Sequence, residues 1–178
     1  MLWDFQKHVP RLGRGVFVAP NATIIGRVSL GDRASVWFGS ILRGDVDSIT
    51  VGPETNIQDL TVVHADADTP TVIGGRVTVG HRAILHGCRV EDECVIGMGA
   101  IVQNRARVGS HSIVASGSVV REGFDVPAGT LVAGVPAVIK RELTGAEIDY
   151  INELAEIYLG RAELYLVEMA RARPAERP

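Results

Sequence analysis

Residues 84–138, ILHGCRVEDECVIGMGAIVQNRARVGSHSIVASGSVVREGFDVPAGTLVAGVPAV, carry an aliphatic residue at every sixth position. All ten residues of this series are Ile or Val: Ile84, Val90, Ile96, Val102, Val108, Val114, Val120, Val126, Val132 and Val138. Ile and Val make up roughly 15% of an ordinary chain, so chance does not account for ten successive matches. A period of six fits neither an amphipathic helix nor a simple alternating strand. It predicts short strands joined by tight turns, with one aliphatic side chain per strand pointing inward.

The same spacing continues toward the N-terminus in three further series. They are Val18, Ile24, Leu30, Val36 and Leu42; Val51, Ile57 and Val63; and Ile73, Val79 and Leu85. Glycine often follows the aliphatic residue, as at Gly31 and Gly97, and we interpret these glycines as turn residues that need a positive φ. Hexapeptide repeats are typical of parallel β-helices, in which three hexapeptides form one triangular coil of about 18 residues. We predict an all-β fold for residues 1–143, a single-stranded left-handed parallel β-helix of about seven coils built from residues 12 to 140.

Two breaks in the period indicate where the chain leaves the stack. Leu42 and Val63 are 21 residues apart, one coil plus three, and Val63 and Leu85 are 22 apart, one coil plus four. The extra residues of the second break fall in 65–70, ADADTP, where the Asp residues and the closing proline are typical of a loop. We therefore predict a small loop at 65–70 that is pushed out of the stack. After Leu85 the register slips by one residue and then holds.

Beyond Val138 the pattern changes to that of a helix. Thr144 and Glu147 form a capping box, with a hydroxyl at the N-cap and a carboxylate three residues later. A spacing of three and four residues then marks one apolar helix face: Ile148, Ile151, Ala155, Tyr158, Ala162, Tyr165 and Met169. We predict a C-terminal α-helix from about 145 to 171, within a segment 144–172 that packs back on the β-helix, followed by a flexible tail at 173–178.

Composition excludes several classes of protein. The chain has 178 residues, 46% of them apolar and 22% charged, with a net charge of −3, which favours one globular domain and argues against a nucleic-acid partner. Cys88 and Cys94 are too few for a disulfide framework, and we interpret both as small buried hydrophobic residues. Neither a secretory signal nor a run of about 18 apolar residues is visible, so we expect a soluble cytoplasmic protein without a membrane span.

Two of the five histidines share a column of the predicted stack. His64 and His86 each follow an inward aliphatic residue and lie one coil apart once the loop 65–70 is set aside. Neighbouring strands are about 4.8 Å apart, so two stacked imidazoles could share one metal ion through bonds of about 2.1 Å. Arg43 occupies the same column one coil earlier, with Asp45 two residues on. This arrangement predicts a metal site, although Arg43 and Asp45 taken alone also fit a surface ion pair.

The remaining histidines fall outside this column. His81 precedes His86 by five residues, about 16 Å of extended chain, so one subunit would not easily bring it to the same ion. A neighbouring subunit related by rotation could supply it, and three such neighbours close into a ring with three equal sites. We interpret His8 and His111 as solvated surface residues.

A set of motifs extends over nearly the whole chain and resembles one known family. The motifs are Arg43-Gly-Asp45, Thr55-Asn-Ile-Gln-Asp59, His64, Val79-Gly-His81, Leu85-His-Gly-Cys88 and Ile96-Gly-Met-Gly-Ala100. Together with the hexapeptide repeats and the C-terminal helix, they are similar to those of the γ-class carbonic anhydrases and their close relatives. This set is more specific than the repeats, which acyltransferases share.

The resemblance implies a site and an activity. It implies metal-dependent, reversible hydration of CO2 to bicarbonate by a homotrimer, with His64 and His86 of one subunit and His81 of the next holding Zn2+, or alternatively Fe2+ or Co2+. It implies that Arg43 and Asp45 pair across the interface, that Gln58 and Asp59 line the site, and that Tyr158 reaches it from the helix. A packing role between the helix and the β-helix remains an equal alternative for that tyrosine.

The sequence departs from the family in its acidic groups. The archetypal enzyme carries a long acidic loop with a proton-shuttling glutamate, whereas the corresponding residues 65–70 contain Asp66 and Asp68 but no glutamate. Val46 stands where a second glutamate is found. Two alternatives therefore remain open: a CoA-linked acyltransferase or thioesterase, and a non-catalytic trimeric scaffold that keeps the metal site.

Overall fold

The computed structural model describes residues 1–171 of the chain, so the predicted tail at 173–178 lies outside the described residues. Within 1–171 the chain forms short β-strands and one long α-helix, α1. Their bounds are β1 Leu2–Trp3, β2 Arg11–Leu12, β3 Phe17–Val18, β4 Thr23–Leu30, β5 Ser35–Val36, β6 Ile41–Val51, β7 Asn56–Ile57, β8 Val62–His64, β9 Thr71–Ile73, β10 Thr78–Val79, β11 Ile84–His86, β12 Arg89–Val90, β13 Val95–Ile96, β14 Ile101–Val102, β15 Arg107–Val108, β16 Ile113–Val114, β17 Val119–Val120, β18 Asp125–Val126, β19 Thr130–Gly134, β20 Ala137–Glu142 and α1 Gly145–Arg171.

The strands stack into three faces of a parallel β-helix. One face, the helix face, contains β3, β5, β7, β10, β13, β16 and β19, one strand from each of seven coils. A second, the histidine face, contains β1, the first parts of β4 and β6, and then β8, β11, β14 and β17. The third face contains β2, the ends of β4 and β6, and β9, β12, β15 and β18. The predicted parallel β-helix of about seven coils is confirmed.

The inward column is filled by the aliphatic residues of the repeat. Val102, Val108, Val114, Val120, Val126 and Val132 are completely buried, and each such side chain contributes roughly 1.5–3 kcal/mol by leaving water. The predicted inward position is wrong for the first and last residues of the series, because Ile84 is 38% exposed and Val138 is 47% exposed. Leu85 takes the inward position in β11, and β20 leaves the stack by folding back antiparallel on β19.

The glycines that follow the aliphatic residues have a different role from the one predicted. Gly97 does not have a positive φ; the positive φ of that turn belongs to Gly99, at 67°. A Cβ atom on Gly97 would lie 2.4 Å from the backbone nitrogen of Ser116 in the next coil, closer than real Cβ contacts allow. The glycine is needed there because two coils approach each other closely, and not because of a turn conformation.

Extra residues gather at the corner between the histidine face and the third face. The predicted loop at 65–70 is confirmed as a tight turn, in which Asp66 and Thr69 form an isolated antiparallel bridge. One coil earlier, the pairing of β4 with β6 skips residues 45–48. The N-terminal residues also belong to the stack, since Leu2 pairs with Ile24 in parallel. We refer to this edge, formed by 5–8, 45–48 and 65–70, as the loop corner.

Helix α1 begins where the sequence predicts and extends to Arg171, the last residue that the structure describes. Its capping box forms, because the backbone nitrogen of Thr144 donates to Oε2 of Glu147 at 2.9 Å and the Glu147 nitrogen donates back to the Thr144 hydroxyl at 3.4 Å. The helix lies over the helix face, packing on β3, β5, β7 and β10. Its most buried side chains are Ile151, Ala155, Tyr158, Leu159 and Ala162. Ion pairs from Arg33 to Glu163 and from Arg76 to Glu156 also fix its position.

The cysteines behave as predicted. Cys88 is 2% exposed, Cys94 is completely buried, and both are free thiols. Burial raises the pKa of each thiol to about 12, which removes the thiolate needed for metal binding or nucleophilic attack. The helix within residues 1–171 is not apolar enough over its length to cross a membrane.

Candidate metal centre

Two histidines lie side by side on the histidine face. His64 ends β8 and His86 ends β11, and the two residues are directly paired in the parallel ladder. Arg43 of β6 is paired with His64 on its other side, so the predicted column of three polar residues is present. The imidazoles approach until Nδ1 of His64 lies 2.9 Å from Nε2 of His86. Inward burial of Val63 and Leu85 points these histidines outward, because side chains alternate along a strand.

The other nitrogen of each imidazole is held by an oxygen atom. Nε2 of His64 lies 3.0 Å from Oδ1 of Asp45, and Nδ1 of His86 lies 2.6 Å from Oδ1 of Asn104. Carboxylate and amide oxygens accept hydrogen bonds, so these two nitrogens carry the protons of the neutral rings. The facing nitrogens, Nδ1 of His64 and Nε2 of His86, then both present lone pairs to the same point.

This donor set fits a divalent metal ion. Two lone pairs 2.9 Å apart repel each other unless a cation or a proton lies between them. The separation is close to the ~3.4 Å between two nitrogens that share a tetrahedral ion at about 2.1 Å. A metal-binding histidine usually donates its second N–H to a carboxylate or carbonyl, which fixes the tautomer and makes the ligand more basic. Both histidines meet that description.

Asp45 is held on two sides. Oδ1 faces His64 and Oδ2 forms an ion pair with Arg43 of the same chain. Burial would by itself raise the pKa of this carboxyl, but the hydrogen bonds from His64 and Arg43 outweigh it and leave the pKa below its usual value. The carboxylate therefore stays ionised and able to accept from His64. Arg43 and Asp45 form an ion pair within this chain, and their pairing across a subunit interface, which the resemblance implies, stays a prediction.

Asn104 and Asp66 are part of this site and were missed by the sequence analysis. The amide of Asn104 accepts from His86 through Oδ1 and donates from Nδ2 to Oδ2 of Asp66 at 2.8 Å. Asp66 belongs to the loop 65–70, so the loop corner fixes the orientation of the amide. Asn104 follows His86 by 18 residues. The ladder pairs Leu85 with Val102, so the column position beside His86 is Gln103, and counting along the predicted column misses Asn104 by one residue.

His81 lies elsewhere, at the corner after β10. Its Nδ1 is 2.7 Å from Oδ2 of Asp59, and its side chain is 40% exposed. Asp59 and His81 occupy equivalent corners of successive coils, since Arg82 donates its backbone N–H to the Asp59 carbonyl. At this distance the Asp59 carboxylate is placed to accept a hydrogen bond from Nδ1–H, which leaves Nε2 of His81 with a free lone pair. The third histidine therefore has the same kind of oxygen partner as the other two.

Gln58, Tyr158 and His81 line one groove between α1 and the helix face. The groove has a volume of about 430 Å³, and its other walls are largely apolar, with Met98, Ile113, Leu154 and Ile157 among them. Gln58 is oriented by a hydrogen bond from its Nε2 to Oδ1 of Asn56 at 3.1 Å. Tyr158 packs edge-on against Trp37 and lies under the guanidinium of Arg161, and burial raises its pKa. This tyrosine therefore both packs and faces the groove.

The predicted residues thus form two groups on one chain. The first, half-site one, contains Arg43, Asp45, His64, His86 and Asn104; the second, half-site two, contains Gln58, Asp59, His81 and Tyr158. Across residues 1–171, no three side chains of His, Cys, Asp or Glu are grouped in a way that could hold a metal ion. A third histidine ligand for half-site one would therefore have to come from another subunit.

Comparison with known proteins identifies close relatives. The family of bacterial transferase hexapeptide repeats matches residues 87–122. The chain is 43% identical over 169 residues to γ carbonic anhydrase 2, mitochondrial, of Arabidopsis thaliana, covering 92% of this chain and 61% of that protein. It is 42% identical over 152 residues to a probable carbonic anhydrase of Methanocaldococcus jannaschii, covering 85% and 96%. This chain thus spans about three-fifths of the Arabidopsis protein and nearly all of the archaeal one.

Several solved structures have the same fold as this chain. A hexapeptide transferase family protein from Anaplasma phagocytophilum superposes with a TM-score of 0.89 at 44% identity, covering 92% of this chain and 97% of that one. Solved N-acyltransferases also match, but at 16–17% identity, which shows a shared fold alone.

Proposed function

Because the chain belongs to the γ-carbonic anhydrase family, we propose that it catalyses the reversible hydration of CO2 to bicarbonate as a metal-dependent lyase. The proposed site joins half-site one of one subunit to half-site two of the next, in a homotrimer with three equal sites. The observation that carries the proposal is that all three histidines, His64, His81 and His86, have one ring nitrogen fixed by an oxygen acceptor and the other free to bind. His111 also has Nδ1 beside a carboxylate, that of Glu93 at 2.9 Å, but no second histidine nitrogen within residues 1–171 faces it as His86 faces His64.

An aliphatic stripe on the histidine face supports assembly of subunits. Ile41, Val62 and Ile84 point outward and are 41%, 38% and 38% exposed. They pair in one ladder that continues through Ile101 and Val119. A continuous apolar stripe of this kind marks a surface that another protein covers. It lies two residues from the column of Arg43, His64 and His86, so a subunit covering the stripe would reach half-site one.

We propose Zn2+ at this site, with Fe2+ and Co2+ as alternatives, since imidazole suits all three ions. Nδ1 of His64, Nε2 of His86 and Nε2 of the next subunit's equivalent of His81 would hold it. Such an ion, when bound, supplies Lewis acidity that makes water acidic enough to act as a nucleophile near neutral pH. Three neutral imidazoles leave the ion its full positive charge, which favours that chemistry over a purely structural role.

The chain's own residues would position the substrate. The groove of half-site two is largely apolar, which suits CO2 and disfavours water. Gln58 sits at its polar end, with Nε2 engaged by Asn56, so its Oε1 remains available to accept a hydrogen bond from the attacking water. Tyr158 offers a hydroxyl at the same groove, and its raised pKa keeps that hydroxyl protonated as a donor. Asp59 and Asp45 keep His81 and His64 in the binding tautomer.

The direct test is CO2 hydration by stopped flow. Protein purified without oxygen is freed of metal and reconstituted separately with Zn2+, Co2+ and Fe2+, and the metal-free protein is the control. We expect turnover with at least one metal and none without. Full occupancy with no turnover for any metal would overturn the proposed reaction and favour a scaffold role. A cytoplasmic location stays a prediction, and the Arabidopsis relative is named as a mitochondrial protein.

Asn104→Ala is expected to weaken metal binding about ten- to a hundredfold, the effect usual for residues that orient a metal-binding histidine. Without the amide, His86 loses the acceptor that holds Nδ1–H, and the ring can turn or change tautomer. Competition with a chelator of known affinity measures the change. Asn152→Ala, which removes an amide on α1 away from both half-sites, should have no effect. Equal affinities for both variants would show that Asn104 does not orient His86.

A further inference from the structure

A cavity of about 340 Å³ lies on the third face, next to the loop corner. The N-terminal segment forms one wall, with a tight turn closed by a bridge between Phe5 and His8. The strand ends of β4 and β6 form the floor, where Val28 and Ile49 are buried. None of the residues assigned to the proposed reaction lines it.

Each polar residue that lines this cavity can donate a hydrogen bond to an anion, and none of them is acidic. Three of them, Lys7, Arg11 and Arg27, are permanently cationic, and His8 adds a fourth group that can carry positive charge. The remaining polar lining residues are hydroxyl donors: Ser29, Ser48 and Thr50. The lining contains no carboxylate, although the chain as a whole has a net charge of −3. The nearest acid in sequence, Asp47, turns its Oδ1 back to the backbone nitrogen of Ser48 at 2.6 Å.

Register explains why these groups converge. Arg11 is paired with Ser29, and Ser29 is paired with Thr50, so the three form one outward row across β2, β4 and β6. Arg27 and Ser48 lie beside this row, where the extra residues of the loop corner widen the spacing of the strands. The cationic groups are thus held by the β-helix itself and do not depend on a chance contact of long side chains.

Arg27 is incompletely satisfied. Its Nη2 donates to the carbonyl oxygen of Val46, but its Nε is buried without a hydrogen-bond partner. A buried N–H of a guanidinium without an acceptor is costly, and most such groups in proteins are paired. Arg27 also lines the cavity, so an anion bound there would lie beside its guanidinium. Arginine presents its N–H groups in a planar fork that matches the oxygen atoms of a phosphate or a carboxylate.

We propose that this cavity is a binding site for a multivalent oxyanion of the phosphate class. Three fixed cations and three hydroxyls favour an ion with two or more negative charges and several acceptor oxygens over a monovalent ion such as bicarbonate. The cavity accommodates a phosphate together with part of the molecule that carries it. Binding there is independent of metal and of CO2 hydration, because none of its lining residues belongs to either half-site.

Isothermal titration calorimetry with inorganic phosphate, pyrophosphate and bicarbonate at constant ionic strength tests the proposal. For the metal-loaded wild-type protein, we expect pyrophosphate to bind more tightly than phosphate, and phosphate more tightly than bicarbonate. Arg27→Gln and Arg11→Gln, the latter at an exposed residue, should each weaken phosphate binding about tenfold, as loss of one charge-assisted hydrogen bond does. Arg121→Gln removes an equal charge from another surface and should bind phosphate like the wild type.

Several results would overturn the proposal. They are no heat of binding with either phosphate ligand, equal affinities for wild type and Arg11→Gln, or an equal loss in Arg121→Gln. Binding that disappears when the metal is removed would also overturn it, because the ligand would then occupy the metal centre. Arg11→Gln keeps the test decisive if Arg27→Gln disturbs folding, and CO2 hydration should be the same in Arg11→Gln as in the wild type.

Discussion

His81→Ala is expected to abolish metal binding and CO2 hydration while leaving the β-helix folded. His81 lies at a corner of the β-helix, outside the aliphatic core, and its side chain is 40% exposed, so its removal should change the unfolding midpoint little. Loss of a residue that only orients a ligand weakens metal binding up to about a hundredfold. Loss of one of three ligands should exceed that, and metal analysis after dialysis should find the variant empty. His8→Ala, which removes an exposed histidine outside both half-sites, should keep full metal content and turnover.

A mixture of two inactive variants tests whether the site is shared between subunits. In a ring, a His64→Ala subunit keeps an intact half-site two and a His81→Ala subunit keeps an intact half-site one. Every mixed trimer then contains one junction at which both intact halves meet. Refolding the variants together in equal amounts should restore about a quarter of the wild-type sites. Absence of recovery in trimers shown to be mixed would contradict a site shared between subunits.

Ile84→Asp is expected to give a folded monomer without metal and without turnover, although all three histidines remain. Ile84 is the central residue of the aliphatic stripe, paired with Val62 on one side and Ile101 on the other. Burying an unpaired carboxylate in such an interface is unfavourable by several kcal/mol, and three-fold symmetry repeats the cost at each junction. Sedimentation velocity should report 19.0 kDa and not three times that mass.

Val138→Asp is the matched control. Val138 is 47% exposed and lies on β20, outside the stripe, so an aspartate there stays in solvent and assembly should be unchanged. A monomeric Ile84→Asp protein that still binds metal and hydrates CO2 would show that one subunit is sufficient. A trimeric, active Ile84→Asp protein would show that the stripe is not the interface.

The hexapeptide period predicted the β-helix and most of the residue positions within its coils. Because each coil repeats the register of the one before, counting residues was enough to place Arg43, His64 and His86 in one column, and the structure confirms that column. The same count also explains why His81 falls outside the column. The start of helix α1 at Gly145 was predicted because capping chemistry and a change of period coincide at Thr144.

What the sequence did not predict depends on three-dimensional proximity. Glycine carries no side chain, so its letter does not distinguish Gly97, where neighbouring coils touch, from Gly99, where φ is positive. Strand β1 lies before the start of the hexapeptide series, and it joins the stack through backbone pairing with β4. Asn104 is tied to His86 through a side-chain hydrogen bond that no spacing rule encodes.

The loop corner also shows where such a chain can accept insertions during evolution. Coils on either side of 65–70 keep their register although this corner already holds extra residues, so a longer insertion there would not shift the strands behind it. Lengthening a flexible loop is inexpensive, at about 0.6 kcal/mol for each doubling. Asp66 already lies one hydrogen bond from Asn104 and two from His86. New acidic groups could therefore be added beside the histidines by insertion at this corner, with the β-helix unchanged beneath them.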